Sequence, residues 1–170
     1  LNSLKTDEIE AELAEAGYLV LTFDFRGYGT SSGARGAAGM VEDVRAAVAE
    51  MKQQGARAVV VVGASMGGTA AIVEAADDEL AGVVALSAPL TFQGLDAEPY
   101  VSKVAAPQLF LASEEEQGAA DTQKLFQLAN EPKHIALVLG GDHGSDILKG
   151  PGAAMAKETL MPFLRDCLGE

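Results

Sequence analysis

The sequence is short of cysteine, histidine and positive charge. It has one cysteine, Cys167, and two histidines, and its 12 lysines and arginines face 25 aspartates and glutamates. One thiol excludes an internal disulfide and a cysteine metal cluster. Cys167 reads as a packing residue of a C-terminal helix. The net charge of −13 argues against nucleic acid as the main ligand, because a phosphate backbone needs a basic footprint. The acidity reads as a solvated surface. No apolar run reaches the ~18 residues of a membrane span, so none is expected. The opening Leu1-Asn2-Ser3-Leu4-Lys5-Thr6-Asp7 is not a signal peptide and has no initiator methionine. A lone free thiol makes the cytoplasm the default location; an upstream segment carrying a secretion signal would change that. No repeat or low-complexity linker divides the chain, so residues 1–170 are read as one domain.

What is present is an alternation of short apolar runs with helix-period segments, the pattern of a parallel sheet covered on both faces. Strands are predicted over 18–23, 58–62, 82–86, 108–112 and 133–139. Helices are predicted over 7–16, 40–54, from the residues after Gly68 to about 76, over 121–129, and from about 152 to 168. Residues 26–39 form a glycine-rich loop, and Pro89 and Pro99 oppose regular structure within 87–106.

The richest stretch is Val59-Val60-Val61-Val62-Gly63-Ala64-Ser65-Met66-Gly67-Gly68-Thr69-Ala70. Four valines read as a buried parallel strand. A strand that turns at once into a helix strains its central residue, and side chains at Gly63 and Gly67 are expected to collide across the turn. Ser65 is thereby presented at the C-terminal edge of the sheet. A serine hydroxyl needs a base to take its proton, and the base needs an acid to fix its tautomer. His134 opens an apolar strand and reads as a strand-start residue. His143, in Gly140-Gly141-Asp142-His143-Gly144-Ser145 after the last strand, is the base by elimination and by position. The acid should follow a strand between Ser65 and His143. Glu114-Glu115-Glu116 follow the fourth strand. Counting from Ser113 selects Glu116, with Glu115 second and Asp121, a helix-start residue, a distant third.

These segments resemble the α/β-hydrolase superfamily, in its small capless esterase or dienelactone-hydrolase-like form. Gly63 to Gly67 resembles the nucleophile elbow. The stretch from Gly17-Tyr18 through Asp24-Phe25-Arg26-Gly27-Tyr28-Gly29-Thr30-Ser31-Ser32-Gly33 resembles the superfamily's Asp-x-Arg-Gly-x-Gly loop. Ala106 to Leu111 resembles the strand before the acid, and Asp142-His143-Gly144 the histidine loop. The order serine, acid, histidine agrees. The resemblance implies a doubly wound, mostly parallel α/β sheet with helices on both faces. It gives Asp24 and Arg26 architectural roles and the Met66 N–H an oxyanion role. It implies no metal or organic cofactor.

The resemblance also implies a strand between the one at 19–23 and the one at 59–62, followed by a loop carrying a second oxyanion donor. Neither precedes the first helix, so the fold is expected to be N-terminally incomplete. The expected function is a serine hydrolase cleaving carboxylic esters or thioesters of a small-molecule acyl substrate. The alternative is a non-catalytic α/β-hydrolase-like binding or interaction protein. A nucleotide-binding doubly wound domain is a weaker rival, because a long loop rather than a helix follows Gly27-x-Gly29 and no lysine follows Gly68. The connection 87–106 is too short for a large helical cap. Phe92, Leu95 and Tyr100 within it are read either as lining of the site or as loop packing.

Overall fold

The structure, a computed structural model, describes residues 7–169; the opening stretch 1–6, read above for a signal peptide, lies outside them. The elements in chain order are α1 (Asp7–Glu15), α2 (Ala37–Gln53), β1 (Val60–Ala64), α3 (Met66–Ala75), β2 (Gly82–Leu86), β3 (Thr91–Phe92), β4 (Leu95–Asp96), α4 (Glu98–Val101), β5 (Gln108–Ser113), α5 (Ala119–Leu128), β6 (Lys133–Val138) and α6 (Ala153–Leu168). A 3-10 turn, Gly144–Leu148, precedes α6. Strands β1, β2, β5 and β6 form a parallel sheet in the order β1-β2-β5-β6.

Period-2 alternation divides the core between the two faces of this sheet. Val83, Ala85 and Phe110 point to the side covered by Ile72 and Val73 of α3 and Leu125 of α5. Val84, Leu86, Leu109 and Leu111 point to the side covered by Leu160, Phe163 and Leu164 of α6, with Ile9 of α1. Strands β2 and β5 are buried along their whole length, as central parallel strands require. The apolar stripe of α2, Met40, Val44 and Val48, packs on Met66 and Ala70 of α3. Cys167 packs in the α6 layer, and burial pushes its thiol pKa up.

Two expectations are corrected. Residues 18–23 are not a strand: their backbone makes no sheet pairing among the described residues. Leu19, Leu21 and Phe23 are exposed. A groove of about 540 Å³ lies between this segment and residues 58–64, lined by both. Strand β1 is therefore an edge strand among the described residues and only partly buried, with Val62 exposed. The groove stands at the position where the resemblance implies a further strand. The 87–106 connection, read as a loop, holds the β3-β4 hairpin and the single turn α4. Both are too short to leave a periodic signal.

Candidate active site

Four neighbouring parallel strands each release a polar residue at their C-terminal ends. Ser65 follows β1, Ser87 follows β2, Glu116 lies three residues beyond β5, and His143 stands in the loop after β6. Ligand sites of open parallel sheets gather at this edge. The ladder extends one step into the turns: the Ser65 N–H donates to the Leu86 carbonyl at 2.7 Å, and the Ser87 N–H to the Leu111 carbonyl at 2.7 Å.

Ser65 has φ 51° and ψ −122°, a left-handed conformation costly for a residue with a Cβ. The turn leaves little room. A Cβ on Gly63 would lie 2.3 Å from the Gly67 carbonyl oxygen. The second tight position is Gly68 rather than the expected Gly67: a Cβ there would lie 2.8 Å from the Ala88 Cβ, whereas one on Gly67 would make ordinary contact with Phe25 at 3.5 Å. Met66 opens α3 directly after Ser65. The first N–H groups of a helix have no intrahelical acceptor and carry partial positive charge.

His143 Nε2 lies 2.9 Å from Ser65 Oγ, and His143 Nδ1 lies 2.6 Å from Glu116 Oε2. An ionised carboxylate only accepts, so Nδ1 carries the proton toward Glu116 and a neutral Nε2 is left to accept from the serine hydroxyl. The Glu116 side chain is 3% exposed and that of His143 54%. Glu116 Oε1 accepts from the Ser87 hydroxyl at 2.6 Å and from the Ser113 N–H at 3.1 Å. The acid turn is stapled to the histidine loop, the Glu114 N–H donating to Val138 and the Glu115 N–H to Gly140.

The structure thus brings Ser65, His143 and Glu116 together. Glu115 has an exposed side chain and enters through its backbone alone. Asp121 accepts from the Leu90 N–H at 3.1 Å, so it anchors the 87–106 connection. His134 stacks edge-on to Phe163, far from the serine in the sheet order. Arg26 is held by Asp43 through both its backbone N–H and its guanidinium, and Asp24 accepts from Thr30 and Ser31; both tie the 24–36 loop. Leu95 and Tyr100 pack on the core beside α3, and Phe92 on the α2 cluster. Ser87 is the polar partner that sequence reasoning passes over. Its signal was a serine ending a wholly apolar strand, in the same place on β2 as Ser65 holds on β1.

A doubly covered parallel sheet with a strained serine at a strand-to-helix turn defines an α/β hydrolase. More narrowly, the chain belongs to the serine aminopeptidase S33 family, whose sequence profile matches residues 2–137. That span includes Ser65 and Glu116 and ends before His143. The esterase domain of a Rhodothermus marinus protein is 26% identical, covers 99% of this chain and 82% of its own, and superposes with a TM-score of 0.75. A monoacylglycerol lipase from Paleococcus ferrophilus shares the fold at TM-score 0.83 and 17% identity, over 98% of this chain and 90% of its own. Among curated proteins, the uncharacterized protein YfhR of Escherichia coli O157:H7 is 26% identical over 92% of this chain. The chain spans 63% of the length of that relative.

Proposed function

We propose that the protein is a serine hydrolase of carboxylic esters or thioesters, built as one domain over residues 1–170. The observation that carries this reading is the hydrogen-bonded chain Ser65–His143–Glu116, with contacts of 2.9 and 2.6 Å. In this reading Ser65 Oγ attacks the substrate carbonyl carbon while His143 Nε2 takes its proton. Glu116 holds Nδ1–H and stabilises the imidazolium that forms. The Met66 N–H stabilises the oxyanion at the head of α3. His143 then protonates the leaving group, and a water activated by the same imidazole releases the acyl group from Ser65. The half-exposed imidazole and the absence of a cap longer than the β3–β4 hairpin and α4 among the described residues favour a small or extended acyl substrate. The family supports serine-hydrolase chemistry, and the esterase domain at 26% identity supports esters as the substrates.

The test is hydrolysis of a panel of p-nitrophenyl esters of increasing acyl length. The expected result is turnover that falls by roughly 10⁴-fold or more in Ser65→Ala and in His143→Ala. Turnover unchanged in Ser65→Ala would overturn the proposal. A folded protein that binds esters without turning them over would favour the alternative, a non-catalytic binding protein.

A further inference from the structure

Ser87 has three properties that loop packing does not require. It is fully buried, and its φ is 50°, in the positive region that also holds the φ of Ser65 after the neighbouring strand. Its hydroxyl is committed on both sides. It donates to Glu116 Oε1 at 2.6 Å and accepts from the Gly144 N–H at 2.8 Å. A carboxylate cannot donate and a backbone N–H cannot accept, so the direction of both bonds is fixed.

The two partners of this hydroxyl flank the base. Glu116 holds the imidazole, and Gly144 is the next residue after His143. Gly144 has φ 62°, and a Cβ there would contact Ala64 and Ser65, so the histidine loop lies directly on the elbow. Glutamate has one more rotatable bond than aspartate and loses more freedom when fixed. Here the Ser87 hydroxyl and the Ser113 N–H pin Oε1, which leaves Oε2 aimed at Nδ1.

We propose that Ser87 is a positioning residue of this site: one buried hydroxyl sets both the rotamer of the glutamate acid and the backbone that carries His143. The inference rests on the serine-hydrolase reading above. It also accounts for a glutamate serving at this place, because the serine supplies the second clamp that the longer side chain needs.

The experiment is a double-mutant cycle. Kinetics on p-nitrophenyl butyrate are compared for the parent protein, Ser65→Ala, Ser87→Ala, Ser87→Gly, Glu116→Ala and Ser87→Ala with Glu116→Ala. Ser87→Gly removes the hydroxyl and relieves the left-handed strain, so it separates positioning from folding. Melting is followed alongside for every variant. The expected result is a fall in kcat of about 10- to 100-fold in Ser87→Ala and in Ser87→Gly, the scale of one charge-assisted hydrogen bond. KM should stay within about twofold, because the lost contact is not to substrate. In the Glu116→Ala background, the Ser87 change should cost clearly less than in the parent, because the bond to Glu116 is already gone and only the one from the Gly144 N–H is left to lose. Independent, additive losses would overturn the proposal, as would parent-like kcat in Ser87→Gly. Parent-like turnover in Ser65→Ala would overturn the underlying reading as well; loss there with a parent-like Ser87→Gly would remove this inference alone.

Discussion

Gly63 decides whether Ser65 can be presented at all. The position of its missing Cβ is 2.3 Å from the Gly67 carbonyl oxygen, a backbone atom that cannot move without moving the elbow. Gly63→Ala is therefore expected to destabilise by about 2–3 kcal/mol, an overpacking cost, and to lower esterase turnover by more than about 100-fold through displacement of Ser65. Gly67→Ala meets only Phe25 at 3.5 Å. It should change stability by less than about 1 kcal/mol. Urea unfolding of the two variants, with ester kinetics, checks both. At this scale most of the candidate site was legible. Ser65 is marked by glycine spacing and His143 by the scarcity of histidine. Glu116 is marked by its count from a strand end. The finer glycine assignment was not legible, because the collision at Gly68 involves Ala88, 20 residues away and brought close only by the sheet. Ser87 was hidden for a related reason: its partners, Glu116 and Gly144, are distant in sequence, and no local pattern records them.

The helices α2 and α3 are joined by more than their apolar stripes. Glu74 of α3 is 1% exposed, and both its oxygens accept from Arg45 of α2, at 3.0 and 2.8 Å. Burial pushes the Glu74 carboxyl pKa up, with the Arg45 guanidinium pulling the other way and Asp78 and Asp77 adding to the rise. A carboxyl whose pKa is raised on folding holds its proton more tightly in the folded state. Its favourable contribution is full below the unfolded value of about 4.3 and is lost as pH rises through the folded value. The stability of the parent relative to Glu74→Gln should therefore decrease as pH climbs from about 4 toward neutrality. Urea titrations of both proteins across that range measure it; a difference that grows with pH would contradict the assignment. Elements with strong periodicity were readable to within a few residues: β2 spans Gly82–Leu86, and α6 Ala153–Leu168. Residues 18–23 carry a strand-like composition and yet form none, because a strand exists only through its neighbour and β1 stands across a groove from this segment. The four-residue α4 and the two-residue strands β3 and β4 span only about one period of their patterns, too little to show a repeat.

The sheet gathers the candidate site on one edge. Four adjacent strands run parallel, so their C-terminal ends, and with them Ser65, Ser87, Glu116 and His143, meet without a long loop. The order serine, acid, histidine in sequence becomes serine, histidine, acid in the hydrogen-bonded chain, because β6 and its loop carry His143 back over β5 and β2 to the elbow. Covalent capture reads out whether this edge holds an activated nucleophile. The folded protein is treated with a fluorophosphonate, and the modified peptide is identified by mass. One adduct is expected, on Ser65, formed far more slowly in His143→Ala and absent in Ser65→Ala. A folded protein that stays unmodified, or one labelled at another residue with Ser65 free, would contradict it.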